Sequence, residues 1–190
     1  MDRGVAKRLS EGALGPASQG GAVLFLGLAL LLAITAGALS AAQTTSLELR
    51  MSRNSHDAAL ALRAADAALA EAEAWLETDG DPADPRVYAG GTRYGEAAAW
   101  RDQTVWAAHG QTGGMRLPGV VEAPRHLVEW VTTYLGTGLE SLPGPLVDVF
   151  RVTATAVGSS RATVVRLQAT FARTRDDGEV RRLSWAELDS

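Results

Sequence analysis

Apolar and polar positions follow three different rules along this chain. From Gly21 to Ala42 nearly every residue is apolar or small, and no charged residue occurs between Glu11 and Glu48. From Leu47 to Leu76 the pattern changes to spacings of four and three: Leu47, Met51, Asn54, Ala58, Leu62, Ala65, Leu69, Ala72 and Leu76. That is a heptad-like helical seam, with Arg63, Asp66, Glu71 and Glu73 mostly off it. From Leu127 onward the period falls to two. Phe150, Val152, Ala154 and Ala156 alternate with Arg151, Thr153 and Thr155, and Val165, Leu167, Ala169 and Phe171 alternate with Arg166, Gln168 and Thr170. These runs predict strands over Leu127–Leu135, Asp148–Val157, Ala162–Arg173 and Val180–Trp185. Gly158-Ser159-Ser160 and Asp176-Asp177-Gly178 supply hairpin turns between the last three.

No proline lies between Gly21 and Glu77, and no glycine follows Gly37 in that interval. The spacing therefore predicts one uninterrupted helix that starts in the apolar run and continues into the striped region. As a helix, Gly21–Ala42 would be about 33 Å long at ~1.5 Å per residue. The hydrocarbon core of a bilayer is ~30 Å thick, so the run is long enough to span it. Two simpler readings stand beside this one. A removable secretory signal would place a cleavage pattern at Ala38-Leu39-Ser40-Ala41, although the apolar run exceeds a typical h-region of about 7–15 residues. A plain single-pass anchor with an unrelated head is the other. Arg3, Lys7 and Arg8 precede the run, which places the N-terminus in the cytoplasm by the count of basic residues; Arg50 and Arg53 follow it.

The stripe over residues 58–76 predicts burial against the chain's own core, and the apolar face of the predicted sheet is the available partner. The fold expected is α+β, with the Leu62–Leu76 face of the helix laid on an antiparallel sheet. For residues 43–57 no partner within the chain is evident, so that stripe is free to meet other subunits. Inside the apolar run Ala29, Ala33, Gly37 and Ala41 form a row of small residues, and such rows let helices approach closely in lipid. Residues Thr78–Ala123 are rich in Gly, Pro and Asp and read as an irregular connection with a short helix around Tyr94–Trp106. Trp100 and Trp106 in it are expected to seal the loop to the domain.

Charge and composition narrow the function. A net charge of −4 carries no basic footprint for nucleic acid. The chain has no cysteine, so neither disulfides nor thiolate sites hold its head. His56, His109 and His126 show no metal-ligand spacing. Gly113-Gly114-Met115-Arg116 lacks the Lys-Ser/Thr of a phosphate loop. The sequence therefore points to no enzyme activity, no cofactor, no metal and no small-molecule substrate.

Gly21-Ala22-Val23-Leu24, opening the apolar run, resembles the start of a type IV pilin-like protein. Gln43-Thr44-Thr45-Ser46-Leu47-Glu48-Leu49-Arg50-Met51-Ser52-Arg53-Asn54 is similar to the end of the membrane helix in the PilX family of minor pilins. Ala64-Ala65-Asp66-Ala67-Ala68-Leu69-Ala70-Glu71-Ala72-Glu73 resembles that family's alanine-rich helix, and Pro124-Arg125-His126-Leu127-Val128-Glu129 its strand opening. The resemblance implies a type IV pilin-like fold. It divides the chain into a cytoplasmic prepilin leader (1–21), a long helix (22–77) whose membrane part is 22–42, an irregular αβ loop (78–123) and an antiparallel sheet head (124–190).

It also implies a role. A prepilin peptidase would cut between Gly21 and Ala22, with Gly20 offering a register shifted by one, and the new amino terminus would be methylated. The fifth mature position, a glutamate in major pilins, is Leu26 here, or Phe25 in the shifted register. A lone carboxylate in lipid needs a partner, and a subunit without one suits the tip of a fibre. The assembly face would comprise Ala29, Ala33, Gly37, Ala41, Leu47, Met51 and Asn54. The expected protein is a minor pilin in the inner membrane, head in the periplasm, priming pilus formation in a tip complex. Its partners would be other minor pilins and a tip adhesin, linking it to cell adhesion. A K-type pseudopilin of type II secretion is the alternative within the class, and a periplasmic binding module freed by signal peptidase the alternative outside it.

Overall fold

A computed structural model describes residues 19–90, 99–115, 117–137 and 144–188. Most of the expected leader, including Arg3, Lys7 and Arg8, lies outside the described residues. The chain divides into two compact units, one ending at Met51 and the other, the head, starting at Ser52. A single helix, α1 (Gln19–Asp79), contributes to both. Its interior lacks proline, and Gly27 and Gly37 cost only about 1 kcal/mol each relative to alanine.

In the head, α1 is followed by β1 (Val87–Tyr88), a 3₁₀ turn (Ala99–Arg101), α2 (Gln103–His109), β2 (Gln111–Thr112), β3 (Arg125–Leu135), β4 (Leu146–Val157), β5 (Val164–Thr174) and β6 (Val180–Leu188). The strands form one six-stranded sheet in the order β1-β3-β4-β5-β6, with β2 also on β3. Only β1 runs parallel to its neighbour; the other pairs are antiparallel. The alternating sequence determines the register: Phe150 faces Phe171, Val152 faces Ala169 and Ala154 faces Leu167 across β4 and β5. These residues are fully buried, most of them in one core with Ala68, Leu69, Ala72 and Leu76 of α1. The α+β arrangement of a long helix on a mostly antiparallel sheet is therefore present.

The stripe on α1 differs in detail from the heptad expectation. Leu76, Leu69, Ala72 and Ala65 are buried, but Ala58 is exposed and Leu62 retains 36% of its surface. The buried line instead runs through Asp57, Ala61, Ala64, Ala65, Ala68, Leu69, Ala72 and Leu76. A straight α-helix drifts by ~20° per heptad against a strict seven-residue repeat. Two steps back from Leu76 therefore carry Leu62 about 40° off the contact line. Alanine takes its place, which lets the backbone of α1 approach the sheet closely.

The expectation of one covered face per strand fails at β6. Its residues are exposed almost throughout, and Leu183 and Trp185 keep 47% and 48% of their surface. One helix about 10 Å wide overlies only two or three strands spaced ~4.8 Å apart, so an edge strand lies beyond its cover. Arg182 bridges the gap by pairing with Glu73 of α1 and resting 5.4 Å from the Phe171 ring. A bulge between Thr170 and Phe171 twists the same edge, a common protection of open edges.

The connection after α1 carries more order than its composition predicts. Of the short helix expected around Tyr94–Trp106, residues 94–98 lie outside the described residues, and the helix present is α2. Asp102 caps it, accepting from the Thr104 N–H at 2.8 Å and the Thr104 hydroxyl at 2.7 Å. Trp106 is 5% exposed and gives its indole N–H to the Trp100 carbonyl at 2.7 Å. Trp106, Val105 and Ala99 pack on Leu127. Leu127 pairs with Thr153, out of phase with the Val128–Val152 pair that joins the α1 core. Alternation thus places α2 on the opposite face of the sheet from α1. The tryptophans do close the loop onto the domain, as expected.

Candidate functional site

The apolar part of α1 has the properties of a membrane helix. Among the described residues it is the one helix long and apolar enough to cross a bilayer. Every described residue from Gly21 to Met51 is exposed in the isolated chain, including Val23, Leu24, Phe25 and Leu26 at 66–77%. So large a continuous apolar surface has no place in water. Lipid also demands that every polar group be satisfied within the segment. Thr35, inside the run, donates its hydroxyl to the Leu31 and Leu32 carbonyls at 2.8 and 3.0 Å. Thr44 and Thr45, at its end, bond back to Ser40 and Ala41 at 3.1 Å.

Each residue expected to act in processing or assembly sits on this surface. Gly21 and Ala22 lie near the start of α1 and are exposed. A Cβ added at Gly21, Gly27 or Gly37 would point into open space. At about 100° per residue, Leu26, Ala29, Ala33, Leu47 and Met51 fall within roughly 60° of one another around the axis. Gly37 and Ala41 stand about 80° and 120° round the axis from Ala29, about 20° and 60° past the Leu26 edge of that face, because a strict spacing of four advances about 40° per step. The small-residue row is therefore a spiral: Ala29 and Ala33 lie on the face with Leu47 and Met51, Gly37 borders it and Ala41 has left it. Asn54, in the head unit, is exposed as well.

Within the head, and besides the Glu73–Arg182 pair, polar contacts hold α1 to the sheet and its loops at three further points among the described residues. Asp57 is 8% exposed and accepts the Ser159 N–H of the β4–β5 hairpin. Hydrogen bonds from Thr163 and Ser159 hold its carboxyl below its ordinary value of 3.8, against the opposing effect of burial. Gly158 is required here: a Cβ would stand 2.7 Å from Asp57 Cγ and 2.8 Å from the Asp57 carbonyl oxygen. Glu71 accepts the Gly114 N–H with both oxygens, at 3.1 and 2.8 Å. At the C-terminal end Arg173 donates to the Leu76 carbonyl at 2.7 Å, satisfying one of the last-turn acceptors. Gly80 lets the chain leave, since a Cβ there would lie 2.6 Å from that same carbonyl oxygen.

A further polar cluster ties the strand ends together. Asp148 is fully buried and receives Arg175 at 2.7 and 2.9 Å, together with the Thr133 hydroxyl. Burial alone would raise its carboxyl, but Arg175 and Thr133 outweigh it and the net shift is downward. Sequence reading had singled out neither Asp57 nor Asp148. A lone acid one turn before Ala61, in line with the alanine stripe, was the available signal for Asp57. Asp148 stands at the start of an apolar alternation, and its partner is 27 residues away, so nothing local marked it. The described residues contain no cluster of three or more metal-ligating side chains.

Two family models match the chain. The PilX N-terminal family matches residues 19–70, and the type IV pilus assembly protein PilX C-terminal family matches residues 57–173. Searches of curated proteins and of solved structures give no match. The first model covers the apolar helix and the second covers most of the head, overlapping over Asp57–Ala70, where α1 first meets the sheet. The chain belongs to the PilX family of type IV pilus assembly proteins and is a minor pilin, a structural component that works among other pilins.

Proposed function

We propose that this minor pilin primes pilus formation from a complex at the fibre tip. It is made as a prepilin with residues 1–21 as leader. A prepilin peptidase cuts between Gly21 and Ala22 and the new amino terminus is methylated. Residues 22–42 then hold the subunit in the inner membrane, with the N-terminus cytoplasmic and the head periplasmic. Its other partners are fellow minor pilins and a tip adhesin. The protein catalyses nothing.

The observation that carries this reading is the chemistry of the helix start. Leu26 stands where a major pilin holds a carboxylate, and the helix carries no charge before Glu48. A subunit lacking that carboxylate has no intramembrane acid to offer to the amino terminus of a neighbour. Such a subunit begins a fibre more readily than it extends one. The face formed by Leu26, Ala29, Ala33, Leu47 and Met51 is then the surface that meets the next helix, with Gly37 and Ala41 extending it around the axis and Asn54 beyond.

N-terminal sequencing of the protein recovered from membranes tests the first step. A methylated start at Ala22 is expected. A start at Ala41 or Ala42 would mean signal-peptidase release, and an intact leader would mean a plain anchor. Gly21→Leu should block cleavage, because the peptidase needs a residue without a side chain there. Deleting the gene should abolish surface pili, and Leu26→Glu should lower pilus number. Normal piliation in both strains would overturn the priming role.

A further inference from the structure

The face of the sheet opposite α1 carries an arginine on each long strand: Arg125 of β3, Arg151 of β4, Arg166 of β5 and Arg181 of β6. Each stands next in its strand to a residue on the α1 side, and successive side chains alternate between faces. Arg101 of the 3₁₀ turn joins them, since Arg101 and Arg166 both rest on the Trp100 ring, at 4.9 and 5.6 Å. Arg125 is committed to the Trp106 carbonyl at 2.8 Å. Arg101, Arg151, Arg166 and Arg181 form no ion pair with another described residue. The α1 side differs: there Arg173 holds the Leu76 carbonyl, Arg175 holds Asp148 and Arg182 holds Glu73.

We propose that this face docks a carboxylate-bearing surface of a neighbouring pilin. Three described acids share the arginine side. Glu129 lies opposite Arg151 but is 1% exposed, too deep to meet a partner. Asp102 is occupied in capping α2. Glu179 is exposed and lines one hollow with Arg181. Positive charge therefore exceeds negative here, although the whole chain carries −4. A patch of sign opposite to the rest of the molecule selects a complementary partner and its orientation. Guanidinium forks pair with carboxylates in bidentate fashion. The Trp100 ring restrains two of them beforehand, which lowers the cost of ordering them on binding. From the strand register, Arg151 stands about 12 Å from Arg181 and about 14 Å from Arg166 between Cα atoms. Thr170 and Ser184 lie in the space between, with Gln168 beside them. Gln168 donates its N–H₂ to Thr153 at 3.0 Å, which leaves its carbonyl oxygen to accept. Phosphodiesters bring acceptors alone, whereas a polypeptide also brings N–H donors for that oxygen. The floor thus favours a protein over a nucleic acid or a phospholipid surface.

The inference rests on membership among pilins and not on the priming role. It gives the head a polar contact of its own, besides whatever the apolar helix packs against. Because Arg101 and Arg181 are exposed, the contact is sensitive to salt.

Site-specific photo-crosslinking of the full chain tests the proposal, in membranes isolated from the cells that make it. The probe is p-benzoylphenylalanine in place of Ser184, an exposed residue between Arg151 and Arg181. Mass spectrometry should find an adduct with another pilin, through a peptide containing Asp or Glu. Its yield should fall when salt is raised from about 0.1 M to about 1 M. Arg166→Glu combined with Arg181→Glu should lower it roughly tenfold, because like charges then face each other, with the melting midpoint of the head retained. The salt comparison keeps every arginine, so it does not depend on that variant folding. An absent adduct, an adduct with lipid or nucleic acid, a peptide without acids, or a yield indifferent to salt or to charge reversal would each overturn the proposal. Pilus number reads the priming role separately, so either can fail without the other.

Discussion

Leu69 and Leu62 stand seven residues apart on α1 and would be equivalent in a true heptad. The structure makes them unequal: Leu69 is fully buried in the core with Phe150, Val152 and Phe171, whereas Leu62 keeps 36% of its surface. Truncating a buried leucine to alanine costs about 2–5 kcal/mol, the spread depending on how far the site collapses. The neighbours of Leu69 are themselves held by the sheet register, so collapse is limited and about 3–4 kcal/mol is expected. For a domain of this size each kcal/mol shifts the melting midpoint by roughly 3–4 °C, giving a fall of roughly 9–16 °C for Leu69→Ala. Leu62→Ala removes a side chain already in part solvated and should cost under about 1 kcal/mol. The assay is thermal melting of the full chain in detergent, followed by near-ultraviolet circular dichroism of the head tryptophans. If the two substitutions lower the midpoint equally, the drift argument is wrong and α1 follows the heptad after all.

Three further outcomes follow from the polar contacts of the head. Burial lowers the His126 pKa below 6.5, so the unfolded chain binds the proton more readily; stability from this residue is full above pH 6.5 and falls as the pH drops below it. His126→Leu should flatten that limb of a melting-midpoint profile between pH 7 and 5, and a profile unchanged by the substitution would refute the assignment. Asp148 has a depressed carboxyl, so its contribution is present above its ordinary value of 3.8 and is lost as the pH falls through the lower folded value; Asp148→Asn should shrink the acid-unfolding limb below about pH 4, read by urea midpoints. Gly158→Ala drives a methyl into the Asp57 carboxylate and should lower the urea midpoint of the head, whereas Ser160→Ala at the exposed tip of the same hairpin should change it by less than about 0.5 kcal/mol.

Much of the fold was legible because each half of the chain holds to one period. The strands β3, β4 and β5 alternate with few interruptions, and their observed bounds fall within two residues of those the alternation gives. The helix was legible as well, since nothing between Gly21 and Glu77 could break it. What escaped was anything fixed by width or by distant partners. The exposure of β6 follows from the diameter of one helix against the breadth of five strands, and no local pattern encodes that ratio. The two-residue strands β1 and β2 are too short to show a period; both exist because β3 offers them an open edge. The second layer formed by α2 depends on Trp106 finding Leu127, 21 positions away.

The two halves of α1 carry different small-residue codes, and the difference bears on what each can pack against. In the head, Ala61, Ala65, Ala68 and Ala72 step by four, three and four. Those steps turn alternately about +40° and −60°, so the line stays on one side and suits a flat sheet beneath it. In the apolar half, Ala29, Ala33, Gly37 and Ala41 step by four each time, and the line winds about 120° around the axis in three steps. A partner lying parallel would lose that row within two turns. A partner crossing at an angle follows it, because rows spaced by four incline to the axis and mesh with like rows at about −40° to −50°. On the proposed reading, the next pilin helix therefore meets this one in a right-handed crossing near Ala33 and Gly37. Contact over the whole face through Leu47 and Met51 would need a second neighbour. On that same proposed reading, an inclined contact in lipid and the Leu47–Met51 stripe together would let one subunit engage more than one partner at once.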